Sequence, residues 1–432
     1  MKKRNMALFL SAVMTMGAIT ACGSGGGGSS ETAPSVDPSA NPEDISGKVV
    51  FVSGNDTTGG VDEMIAAFNE KYPNIEVEKQ VLPGASDDVK KSLMTSLAAG
   101  DSEPDVFECD IIWISQFAAA GWLLDVTENL EAKSDEYLAG PLSTCYYDGK
   151  AYAYPNYTDV GLLYYRSDLV ETPPTTWDEL VSMSQEHIGS DGIEYGYVFQ
   201  AFQGEPISCN MLEFIKQNGG TDYEDGQFAM NNENTIGALE FVKGLIDDGI
   251  APESVLAAKP DDSKAIFEEG KALFMRNWTY AYQSAQADTS KVAGNVGVAP
   301  LPVGPNGTES SGTLGGWNYA INKNSENKEA AILFAEFMSS YDAQKISTLV
   351  RGTFPTNAAV YEDAEVLEAL PFLSDIQPAV DAAKPRPQVR DYATISSIFA
   401  VNFQRALTGE SSFEDAMAQM DSELNSALEK MQ

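Results

Sequence analysis

A chain of 432 residues with 43% hydrophobic and 10% aromatic content has the composition of a globular protein, and it is too long for one ordinary core, so two domains or lobes are expected. A formal charge of −37 repels phosphate backbones and anionic headgroups, which argues against nucleic acid as a partner. The single histidine, His187, removes His-based metal clusters and most acyl-transfer triads.

At the N-terminus, Lys2, Lys3 and Arg4 precede a mostly apolar run from Met6 to Met16, the layout of a secretory signal peptide and too short for a comfortable bilayer span. Ile19, Thr20 and Ala21 lead into Cys22. The segment resembles a bacterial lipoprotein signal (1–21), in which the cysteine is lipidated and becomes the mature N-terminus. Ile19 stands where that pattern usually has leucine. An ordinary signal peptide cut near Ala21 is the alternative. Residues 22–46, rich in glycine, serine, proline and acidic side chains, read as a tether reaching about 25–30 Å. Together these features place a folded body at the extracellular face of the bacterial cytoplasmic membrane, held there by lipid alone.

The body opens on "GKVVFVSG", a buried strand, and "VDEMIAAFNEKYP" follows with Val61, Met64, Ile65, Phe68 and Tyr72 at helical spacing. "NIEVEKQVLP" alternates as a strand, and "DDVKKSLMTSLAAGDSEPDVFECD" predicts a helix, a glycine stop and a further strand. This order implies a parallel sheet with crossover helices, so the first lobe is α/β. Beyond about residue 157 helices dominate. Thr176 and Glu179 form a capping box for "TWDELVSMSQEHI", and "NTIGALEFVKGLIDDG" carries Ile236, Leu239, Val242, Leu245 and Ile246 on one face. "KVAGNVGVAPLPVGPNG" predicts a strand. At the C-terminus Ser411 and Glu414 read as a capping box before a stripe of Phe413, Met417, Met420, Leu424 and Leu428. Trp113, Trp122 and Trp177 read as packing residues.

Catalytic signatures do not emerge from these segments. No Walker-type loop and no G-x-S-x-G elbow occurs, and "DYEDG" at 222–226 lacks the spacing of a calcium loop. Cys109, Cys145 and Cys209 cannot all pair and contain no C-x-x-C spacing, which leaves at most one bridge, such as Cys145 to Cys209. No enzyme activity, cofactor or metal is expected.

Aromatic and polar residues instead gather in glycine-punctuated or turn-rich contexts: "FECDIIWISQFAAAGWLLDV", "YAYPNYTDVGLLYYRSDL", "FMRNWTYAYQSA", "SSGTLGGWNYAIN", "RGTFPTN" and "KPRPQVRDYATIS". From about residue 47 onward, these stretches resemble the bacterial extracellular solute-binding proteins of ABC transporters, in the sugar-binding branch typified by maltose- and trehalose/maltose-binding proteins. The resemblance implies a two-lobed, type II periplasmic-binding-protein-like α/β fold with hinge strands and a ligand cleft between the lobes. By that analogy lobe one takes 47–157 plus 297–338, and lobe two takes 158–296 plus 339–432. It also implies a carbohydrate ligand, docking on ABC permease subunits, and a monomer.

A pyranose has apolar faces that stack on indole or phenol rings, and hydroxyls that a carboxylate accepts in charge-assisted pairs. By resemblance, Asp110, Tyr157, Asp159, Trp278, Gly316 and Trp317 map to sugar-contacting positions. Tyr280 shares an i, i+2 relation with Trp278, and Asn55 follows the first strand in a loop. Arg351, Arg386 and Arg390 either hydrogen-bond a sugar or make salt bridges; Arg351 and Arg390 complete the candidate set. The paired glycines Gly315 and Gly316 are expected to let a ligand approach the backbone. Two other readings stay open: the same scaffold holding a polyamine or peptide, since ring faces attract ammonium groups, or a surface-anchored glycoside hydrolase.

Overall fold

The computed structural model describes residues 45–56, 58–82, 86–224 and 226–431, so Cys22 and nearly all of the expected tether lie outside the described residues. The first strand, β1 (Gly47–Ser53), is buried from Val49 to Ser53, which explains its unbroken apolar run. Helix α1 (Gly60–Lys71) lays Val61, Met64, Ile65 and Phe68 on the sheet. Then come β2 (Ile75–Val81), α2 (Ser86–Ala99) and β3 (Val106–Asp110). Both β2 and β3 pair parallel to β1, as the sequence order predicts.

A short helix α3 (Ile114–Ala119) leads on to β4 (Ala153–Val160) in the same sheet. At Gly161 the chain leaves for a second sheet through β5 (Leu162–Arg166), α4 (Trp177–His187), β6 (Tyr195–Val198), α5 (Glu205–Gln217), α6 (Glu233–Asp247), β7 (Ala272–Asn277) and β8 (Val296–Ala299). It returns as β9 (Thr313–Ile321), α7 (Lys328–Met338), β10 (Phe354–Pro355) and β11 (Lys384–Pro385), and ends in α8 (Tyr392–Leu407) and α9 (Phe413–Met431).

The first sheet has seven strands, ordered β10–β4–β9–β3–β1–β2, with β11 also on β9. In it, β9 runs antiparallel between β3 and β4. The second sheet is β8–β5–β7–β6. One core packs α1, α2 and α7 on the first sheet, and a second gathers α4, α5, α6, α8 and α9. A third forms where the chain crosses, from Val160, Leu162 and Leu314 together with Tyr361 and Val380.

Local signals mostly behave as expected. The Thr176–Glu179 capping box is present, and Trp177 stacks on Phe241 at 4.1 Å. On α6, Leu239, Val242 and Leu245 are buried while Ile236 and Ile246 are only half so. The last helix differs in one detail: Ser412, not Ser411, caps it, its hydroxyl accepting the Asp415 N–H at 3.1 Å. Ser411 instead gives its own N–H to the Arg405 carbonyl, closing the turn after α8. Cys109, Cys145 and Cys209 are all free and buried, so no Cys145–Cys209 bridge forms. Among the described residues no helix is long and apolar enough to cross a membrane.

Candidate ligand-binding site

The strand ends of the two sheets, with two helix starts, surround a cavity of about 590 Å³. From the first sheet come Asp110 at the end of β3, Asp159 in β4, and Gly315, Gly316 and Trp317 in β9. The second sheet supplies Trp278 and Tyr280, just after β7. Glu205 opens α5, while Tyr392, Ala393, Ser396 and Ser397 form the first turns of α8, and Arg386 follows β11. Ligands favour the carboxyl ends of strands in open α/β sheets, and Asp110 sits at such an end.

Register explains the grouping. Trp317 pairs with Asp110 on one side and Tyr157 on the other, and Gly315 pairs with Asp159. An irregularity at Trp317/Asn318 re-aims this part of β9. The Trp317 ring stands edge-on to Trp113, centroids 5.2 Å apart. Trp113 is core, as its apolar helical run predicts, and also lines the cavity. Both glycines line the cavity, and both are also tightly packed. A Cβ on Gly316, whose φ is +126°, would collide with the Tyr157 carbonyl. One on Gly315 would lie 3.1 Å from the Trp278 ring.

The charged groups form a linked set. Arg386 donates to Glu205 at 2.7 Å and lies 4.0 Å from Asp110, so it bridges residues from α5 and β3. Glu205 also accepts from Tyr392 at 2.8 Å and from Ser396. Burial pushes the Glu205 carboxyl up, but Arg386 and these hydrogen bonds outweigh it and hold it below its ordinary value. At Asp110 burial wins over Arg386 and the Ile112 N–H, and the carboxyl rises to about 6. Burial also raises Asp159, against the hydrogen bond from Thr279 and the nearby guanidinium groups. Arg386 is 7% exposed, and its Nε has no partner among the described residues.

Six candidates from the sequence thus meet at one cavity: Asp110, Asp159, Trp278, Tyr280, Gly316 and Trp317. Four are not among its lining residues. Tyr157 lies against the Arg351 guanidinium at 5.3 Å, and Arg351 faces Glu108 at 3.8 Å. Asn55 is exposed beside β1. Arg390 is exposed and donates to the Met431 carbonyl at 3.1 Å. Arg386 takes the wall position instead, making the salt bridge weighed for it and facing the cavity as well. Tyr392 and Ser396 lie in the stretch "KPRPQVRDYATIS" without being singled out there, whereas Glu205 has no local signal, because only tertiary packing brings the starts of α5 and α8 together.

Two α/β sheets joined by crossing strands, with a cavity at the strand ends, define the two-lobed type II binding-protein fold. Residues 54–345 match the bacterial extracellular solute-binding protein family, and the chain belongs to it. It is 32% identical over 358 residues to a Deinococcus radiodurans protein named "Probable ABC transporter-binding protein", covering 79% of this chain and 84% of that one. An arabinooligosaccharide-binding protein of Bacillus subtilis is 23% identical, with 71% of this chain and 72% of that one covered. Among solved structures, maltose-bound MalE3 of T. maritima superposes with a TM-score of 0.79 at 36% identity, over 88% of this chain and 99% of that one.

Proposed function

We propose that this protein captures a carbohydrate, an oligosaccharide, in the cavity and delivers it intact to the permease subunits of an ABC importer. The observation that carries this reading is the pair of indoles Trp317 and Trp278, brought from different sheets to one cavity that also holds the Asp110 and Asp159 carboxylates. Flat apolar walls with acceptors at their edge suit a sugar's faces and hydroxyls. The unpartnered Arg386 Nε is a further donor for a ring or hydroxyl oxygen. The Glu205 carboxylate, engaged by Arg386, Tyr392 and Ser396, serves as the support of that wall. The maltose-bound relative and the arabinooligosaccharide-binding relative support the ligand class.

In this reading the lobes are 47–157 plus 297–338 and 158–296 plus 339–432. They close on the sugar, Cys22 carries the lipid that holds the body at the extracellular face, and the protein acts as a monomer. Calorimetry on the purified chain tests the ligand, with maltose, trehalose, gluco- and xylo-oligosaccharides and spermidine, each sugar examined for breakdown afterwards. Micromolar or tighter binding of one intact sugar is the expected result. Sugar breakdown replaces the reading with a hydrolase, and binding of spermidine alone overturns the ligand while keeping the scaffold.

A further inference from the structure

Behind the Trp278 wall lies a buried charge pair that the cavity itself does not expose. Arg276, on β7, is 1% exposed and Glu213, on α5, is 2% exposed. The guanidinium donates to Glu213 through Nε at 2.8 Å and through Nη2, and through Nη1 to Gln200 Oε1 at 3.2 Å. Gln200 is itself held, donating to the Arg276 carbonyl at 2.7 Å and to Ser263 at 2.6 Å. The flat face of the guanidinium is left for another partner, and the Trp278 ring occupies it, 4.1 Å from centre to centroid. The Cζ3 edge of the indole lies close to Gly315, where a Cβ would stand 3.1 Å away.

The other end of the pair reaches the chain crossing. Glu213 Oε1 accepts the N–H of Thr313, the first residue of β9, at 2.9 Å. Gly161, where β4 passes into β5, has no room for a Cβ, which would collide with Glu213 Oε1. A Cβ on Gly312 would stand 2.5 Å from the Gly161 carbonyl, so the outgoing and returning strands touch beside the pair.

We propose that Arg276 is a positioning residue that fixes the Trp278 indole as a stacking platform and ties it to the point where the chain crosses between the sheets. The inference rests on the sugar-binding reading for its consequence, though not for its geometry. A buried ion pair adds little net stability over apolar residues of similar volume, so stability alone gives no reason for a guanidinium here. A planar cation on an indole face does, and lysine offers no such plane.

The test uses the full chain labelled with 5-fluorotryptophan, whose five indoles give five fluorine resonances, with Trp278 assigned by Trp278→Phe. Two variants are compared, Arg276→Lys and the charge-neutral Arg276→Met/Glu213→Gln, each first shown to melt cooperatively. The Trp278 resonance is expected to shift and broaden in both, while those of Trp113, Trp122 and Trp177 hold. Titration with the sugar that the unaltered protein binds is expected to show Kd raised about tenfold, and no further loss when Trp278 is already alanine. An unmoved Trp278 resonance in a folded variant overturns the proposal. So does a shift of all five together, or an affinity loss that persists without Trp278, since each marks a general structural role. If the unaltered protein binds no sugar, the functional reading falls and the fluorine spectra alone decide the positioning.

Discussion

Asp110 owes its carboxyl value of about 6 to burial, only partly offset by Arg386, and Glu205 and Asp159 add their negative charge. A sugar hydroxyl donates better to the ionised form, so affinity is expected to fall as pH drops from 7.5 to 5 in calorimetric titrations. Asp110→Asn should bind weakly at every pH and lose that slope. In the free protein the sign reverses. A carboxyl raised above its unfolded value favours the fold at low pH, and that contribution disappears as pH rises from about 4 through 6. Trp317→Ala removes a ring face and should weaken sugar binding by about a hundredfold, read by the same titration. Asp110 was legible as the end of a predicted strand and Trp317 from the glycines before it, whereas Trp278 came from the family resemblance and its spacing to Tyr280. Glu205 was not legible, because it looks like an ordinary first-turn residue until α5 and α8 converge.

Elements carry their own tests. Gly316→Ala places a side chain against the Tyr157 carbonyl at a φ that L-residues rarely adopt, and should cost about 2 kcal/mol or more in denaturant unfolding. Thr176→Ala removes the hydroxyl that accepts the Glu179 N–H at 3.3 Å, and should cost about 1 kcal/mol with affinity unchanged. The helices and the parallel β1–β2–β3 unit could be read from period and order, since those depend on neighbours in sequence. Strands β10 and β11 could not, because two residues carry no period. Nor could the slot that β9 takes, because pairing between β3 and β4 is set by crossing geometry.

For the whole molecule, the walls of the cavity come from both sheets, so a ligand that touches Trp317 and Trp278 together gains most when the sheets approach. Solution X-ray scattering is expected to show a smaller radius of gyration with saturating sugar. At a hundredfold excess over Kd the ligand should also add about 2.7 kcal/mol to the unfolding free energy. A radius that stays constant through saturation overturns the closure.

The position of β9 also governs the order of assembly. Its neighbours β3 and β4 both end before Gly161, and β9 begins only at Thr313, after the whole of the second sheet has intervened. Until then the main sheet lacks its middle, with β3 and β4 holding unpaired edges toward each other. Such long-range pairing folds slowly, and a nascent chain ending at Gly312 has no way to finish its first core. Cut at that glycine, the fragment 1–312 should give no protease-resistant lobe, whereas the chain through Met338 supplies the missing strand and the α7 helix that seals it.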